Sequence, residues 1–148
     1  MQQMCELSQG VWIVYLTCLS VIDIRTRKIP IWLLGAGGIT AIIMQIWKSL
    51  KGTSISPILI VAGVAVGIAF LGISKITREA FGYGDGIVIL ILGICLGLWD
   101  LLIVLMVSFL GASLIAILLL VWSKGTKKQS MPFIPFLCIG YVAVILMG

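Results

Sequence analysis

Long apolar segments separated by short polar connections constrain this chain more than any other feature of its sequence. A helix that crosses a bilayer needs about 20 mainly apolar residues. Hydrophobic residues make up 61% of the chain and charged residues only 10%, whereas a soluble domain is normally about one quarter charged. We therefore predict an all-α polytopic membrane protein, a bundle of about six transmembrane helices forming one domain over residues 1–148. The six segments cover residues 7–24, 31–47, 57–74, 81–99, 101–122 and 132–147.

The chain has no histidine, and its four cysteines form no C-x-x-C pair. A Ser-His-Asp triad and a histidine-containing zinc site are therefore excluded. The cysteines lie mostly in apolar segments, where a free thiol behaves as a small apolar side chain; they are Cys5, Cys18, Cys95 and Cys138. We predict that the protein uses no metal ion and no organic cofactor.

The basic residues predict the orientation in the membrane. Eight of the ten follow the first, third and fifth apolar segments, and only Lys48 and Lys51 lie on the opposite side. Cytoplasmic loops carry the excess of Lys and Arg, so we predict a cell membrane protein with both termini outside. The net charge of +5 then reflects topology and contact with membrane lipid, and nucleic-acid binding is not expected. The eight are Arg25, Arg27, Lys28, Lys75, Arg78, Lys124, Lys127 and Lys128.

This orientation can be tested by cysteine labelling in a background without native cysteines. Thr26→Cys and Thr126→Cys should react with a membrane-impermeant maleimide only from the cytoplasmic side, and Thr53→Cys only from outside. Labelling after detergent permeabilisation provides the control for reactivity. If Thr53→Cys and Thr126→Cys label from the same side, the predicted number of membrane crossings is wrong.

Two of the five acidic residues lie within apolar segments. Asp23 is in the last turn of the first segment and Asp85 near the start of the fourth, so the predicted topology gives them the same depth at the cytoplasmic edge. A carboxylate costs about 2.5–3.5 kcal/mol at the bilayer centre and less near its edge. Each could be an interfacial charge paired with Arg25 or Arg78, or the two could form a catalytic pair. The other three are expected to be loop or tail charges: Glu6, Glu79 and Asp100.

The sequence around Asp85 favours the catalytic interpretation. Glycines surround this acid in the run Gly82-Tyr83-Gly84-Asp85-Gly86, and such a run lowers helix stability. Glycines are useful where the backbone must come close to another group, for example an extended peptide. A protease acting on a transmembrane helix must hold the cleaved segment extended, and a glycine-rich edge beside the acid suits that task.

These motifs make the chain similar to the type IV prepilin peptidases, a family of G-x-G-D intramembrane aspartyl proteases. The family has an Asp followed after five residues by Ile-Pro-Asn, and here Asp23 precedes Ile29-Pro30. The G-x-G-D motif matches residues 82–85, and a Pro-Phe-x-Pro-Phe feature matches residues 132–136. Ile31 stands where the family has Asn, and Gly86-Ile87-Val88 where it commonly has Val-Lys-Leu. The cysteine-rich loop of larger members has no counterpart, which indicates the short form.

The resemblance implies an aspartic endopeptidase with Asp23 and Asp85 as catalytic residues. Ile29, Pro30, Gly82, Tyr83 and Gly84 would belong to the two supporting motifs. The expected partner is a type IV prepilin-like precursor with a short basic leader and an apolar helix, cleaved at the cytoplasmic face.

Because Asp85 begins a helix and Asp23 ends one, the helix dipoles favour Asp85 as the base and Asp23 as the acid. A presenilin-like G-x-G-D protease and a non-catalytic subunit of a pilus or secretion assembly are the alternatives. The oligomeric state stays open.

Overall fold

The computed structural model describes residues 2–26, 29–52, 55–76, 83–122 and 132–147. Every regular element in these ranges is a helix, which confirms the predicted all-α class. Three of the helices, α2, α3 and α4, are long and apolar enough to cross a membrane, and α5 is a shorter apolar helix. The helices are α1 (Gln2–Thr26), α2 (Ile31–Leu50), α3 (Pro57–Ile76), α4 (Tyr83–Trp122) and α5 (Ile134–Met147).

Helix α4 joins two of the predicted apolar segments, so the described helices number five and not six. Its 40 residues would extend about 60 Å as one straight helix, roughly twice the thickness of the hydrocarbon core. The helix is interrupted at Gly97, where φ is 75° and ψ is −173°. The segment bounds 81–99 and 101–122 place a turn at Trp99 and Asp100, and this prediction is wrong, since both residues are helical and exposed. A positive φ favours glycine, and the interruption therefore falls at Gly97.

Proline and glycine mark the two ends of α2. Pro30 precedes the helix in an extended conformation, and its carbonyl accepts hydrogen bonds from the N–H groups of Leu33 at 3.0 Å and Leu34 at 3.3 Å. Beyond the last turn, Gly52 has a φ of 69° and donates to the Ser49 carbonyl at 3.1 Å. The Ile-Pro motif thus forms the start of α2.

The described chain divides into two compact units, and α4 contributes to both. The first unit contains residues 1–27 and 103–148, with α1, the second part of α4 and α5. Leu16 and Leu19 of α1 and Leu137 of α5 are fully buried, and α1 packs directly on α5. Because a β-carbon at Gly140 would lie 2.6 Å from the Val104 carbonyl oxygen, α5 also packs closely against α4.

The second unit contains residues 28–102, with α2, α3 and the first part of α4. Glycines allow α3 and α4 to touch through their backbones. A β-carbon at Gly63 would lie 2.7 Å from the Gly93 carbonyl oxygen, and one at Gly67 would overlap the backbone of Leu90. Gly63 and Gly67 are spaced as G-x-x-x-G, the pattern that permits close helix packing in lipid.

Candidate active site

Asp23 is a buried acid in the first unit. It lies in the last turn of α1, as the sequence predicts, with 8% of its surface exposed. Ser20, one turn earlier on the same side of the helix, is also buried, whereas Arg25 is exposed. Residues two apart project to different sides of a helix. Within the part of the chain that the structure describes, Asp23 forms no ion pair with Arg25 or any other residue, so the pairing with Arg25 is not found.

The N-terminus of α5 supplies the partner of Asp23. The backbone N–H of Ile134 donates a hydrogen bond to the Asp23 carboxylate. Pro135, the next residue, has no N–H, and the N–H of Phe136 donates to the Phe133 carbonyl at 3.0 Å. The Ile134 N–H is therefore the first-turn donor that remains for Asp23. A helix N-terminus also carries partial positive charge, which attracts a carboxylate.

The second carboxylate oxygen of Asp23 has no such partner. Among the described residues, Oδ2 is buried and forms no hydrogen bond. Nearly all buried polar atoms in native proteins are hydrogen-bonded, and an exception calls for an explanation such as a catalytic role. Asp23 thus accepts a hydrogen bond from the backbone of α5 and has, among the described residues, one buried oxygen without a partner.

Asp85 lies in the second unit, half-buried in the first turn of α4. The glycines on both sides of it are contact points. A β-carbon at Gly84 would lie 2.6 Å from Cδ1 of Ile29, and one at Gly86 would lie 2.7 Å from Cδ2 of Leu71 in α3. The G-x-G-D and Ile-Pro motifs therefore touch each other. The close approach that the two glycines permit is made by the side chains of Ile29 and Leu71.

The remaining predicted site residues lie at the start of a helix or outside the described residues. Tyr83 begins α4 and is 57% exposed, and Pro30 precedes α2. Gly82 and Arg78 lie outside the described residues. Asp23 and Asp85 belong to different units, and the approach of their carboxyl groups stays a prediction.

The described ranges contain no cluster of three or more His, Cys, Asp or Glu side chains that could hold a metal ion. The Ile134 N–H is the contact that sequence reasoning missed. The Pro-Phe-x-Pro-Phe run was the available signal, because its second proline determines which N–H groups of α5 are free.

Three helices long and apolar enough to cross a membrane place the chain among helical membrane proteins. A family model described as the type IV leader peptidase family matches residues 10–121. The chain belongs to this family. The match covers most of α1, all of α2 and α3 and nearly all of α4, including both acids, and it confirms the resemblance inferred from the motifs. No curated protein and no solved structure matches the chain.

Proposed function

We propose that the protein is an aspartic endopeptidase that removes the short basic leader from type IV prepilin-like precursors at the cytoplasmic face of the cell membrane. The observation that carries this proposal is the buried Asp23 carboxylate with one unpartnered oxygen. Membership in the type IV leader peptidase family supports it, and favours this substrate class over that of a presenilin-like protease.

In the proposed mechanism, Asp23 and Asp85 bind one water molecule between them. One carboxylate takes a proton from this water as its oxygen attacks the scissile carbonyl carbon. The other carboxyl group, protonated at the start, donates a hydrogen bond to the carbonyl oxygen and stabilises the tetrahedral intermediate. The C–N bond then breaks as the leaving amine receives a proton from the pair, which restores the single shared proton.

The distribution of charge is consistent with cleavage at the cytoplasmic face. Arg25 in the last turn of α1 and Lys75 in the last turn of α3 are both exposed. Both belong to the set of basic residues that predicts the cytoplasmic side. Asp23 precedes Arg25 by two residues, so it lies close to that edge of the membrane. A precursor whose leader stays in the cytoplasm would present its cleavage site at the same depth.

The proposal is tested with purified protein in liposomes and a model precursor. The precursor carries a short leader with Lys and Arg, then a glycine, then an apolar helix of about 20 residues. We expect a single cut directly after the glycine, seen as a gel shift and as one new N-terminus by mass spectrometry. A precursor with a bulky residue in place of that glycine is the control and should stay intact. An intact wild-type precursor under these conditions would refute the proposed function.

A further inference from the structure

We propose that the N-terminus of α5 positions Asp23 for the reaction. In this arrangement the Ile134 N–H holds one carboxylate oxygen and leaves Oδ2 as the oxygen that exchanges protons with water and the leaving amine. The inference rests on the proposed function and adds a positioning group to it. Ile134 acts through Asp23 and touches no reacting atom.

The hydrogen bond restricts the side-chain torsion that determines where the carboxylate oxygens point. The terminal torsion of an aspartate is broad and roughly two-fold, so an unconstrained carboxylate can exchange its two oxygens. A single N–H donor on one oxygen selects one orientation. The donor is itself fixed, because Ile134 is fully buried and its N–H belongs to the rigid first turn of a helix. Asp23 therefore presents Oδ2 in one direction.

Contacts inside the first unit hold the start of α5 in place. The Ser108 hydroxyl, itself buried, shares its proton between the carbonyl oxygens of Val104 at 2.6 Å and Phe136 at 3.0 Å. The rings of Phe109 and Phe133 pack with their centroids 5.1 Å apart. These contacts link the first turn of α5 to α4, one turn or less from Ile134.

The other side of α5 contacts the helix that carries Asp23. The Thr17 hydroxyl oxygen lies 3.7 Å from Sγ of Cys138, and α1 packs along α5. Both helices that adjoin α5 in this unit therefore determine where the Ile134 N–H points. A hydrogen bond between groups fixed in this way is preorganised, which is the property required of a catalytic constellation.

The N–H can be removed in two ways. Ile134→Pro deletes it at the first position of a helix, where proline fits the backbone, and Ile134→Val keeps it as the matched control. Because Ile134→Pro also alters a buried side chain, a second variant replaces only the backbone amide at residue 134 by an ester, using the α-hydroxy analogue of isoleucine. Incorporation of isoleucine by the same suppression method is its control. All variants are purified as the full chain, and helicity and monodispersity are checked first.

We expect the ester variant and Ile134→Pro to lower kcat about 10- to 100-fold, the usual effect of removing a group that orients a reacting side chain. KM should stay within about two-fold, because substrate binding does not use this N–H. Ile134→Val should keep nearly the wild-type kcat. In infrared difference spectra, the carboxyl band that disappears in Asp23→Asn should shift in the ester variant and stay in place in Ile134→Val.

The outcomes separate this inference from the proposed function. A folded ester variant with wild-type kcat and an unshifted band would overturn the positioning role while leaving the peptidase intact. A fall in kcat that is equal in Ile134→Val would also overturn it, because the effect would then come from packing. If the wild-type protein cleaves no precursor, the peptidase proposal fails, and the infrared shift still decides whether the hydrogen bond orients Asp23.

Discussion

Asp23→Asn and Asp85→Asn should each abolish cleavage of the model precursor, with a rate at least about 10³-fold below wild type. The reason is that both carboxyl groups take part in one proton relay, and an amide can neither accept the water proton nor donate one to the leaving amine. Asp23→Asn should still fold, because its amide oxygen can accept the Ile134 N–H hydrogen bond. Single-turnover rates with precursor in liposomes measure the effect.

Asp100→Asn is the matched control for these substitutions. Asp100 is an exposed acid in the same helix as Asp85, so its neutralisation should leave the rate unchanged. The double variant Asp23→Asn with Asp85→Asn should be no slower than either single variant, since residues that act as a unit are not additive. Wild-type cleavage by either single variant would exclude the two-aspartate mechanism.

The second large effect is expected at the contact between α3 and α4. Gly67→Val should prevent stable folding, or lower the free energy of unfolding by about 3 kcal/mol, the upper end of typical overpacking penalties. A side chain there overlaps the backbone of Leu90, which cannot move aside as a flexible side chain can. Unfolding in mixed micelles, followed by circular dichroism, measures the change.

Gly72→Ala in the same helix is the control. A β-carbon at Gly72 meets nothing within 4 Å, and alanine is about 1 kcal/mol better than glycine in a helix. This variant should be as stable as wild type or more stable. Equal destabilisation by both substitutions would mean that the loss of glycine flexibility, and not the close contact, matters in α3.

The sequence predicted the helical class and most helix positions because apolar length and proline placement are local properties. Ile31 and Pro57 begin helices at the predicted residues. The joint in α4 was misplaced because polarity pointed to Asp100, whereas the deciding property was a positive φ at Gly97. A backbone torsion leaves no distinctive mark in a segment that contains several glycines.

The positions of the two acids were predictable from the apolar segments, and their catalytic role stays a prediction. Asp23 and Asp85 occupy the helix ends expected from these segments. The Pro-Phe-x-Pro-Phe run reduces the number of possible N–H donors at the start of α5, because proline has no N–H. Only the packing of α1 on α5 selects the Ile134 N–H as the donor to Asp23. The hydrogen bond from the Ile134 N–H also changes the argument from helix dipoles. Asp23 ends α1, whose dipole opposes negative charge there, but the positive end of α5 lies at the same carboxylate. The dipoles alone therefore do not decide which acid is the base.

The way the chain divides into its two units has a consequence for biosynthesis. The unit around Asp85 is formed by one continuous stretch, residues 28–102, whereas the unit around Asp23 combines the beginning of the chain with residues 103–148. During synthesis, the continuous stretch of residues 28–102 can fold as soon as it is inserted. Asp23 enters the membrane early, yet its hydrogen-bond donor arrives only with α5, the last described helix. The order of translation thus delays assembly of the proposed active site until α5 has been synthesised.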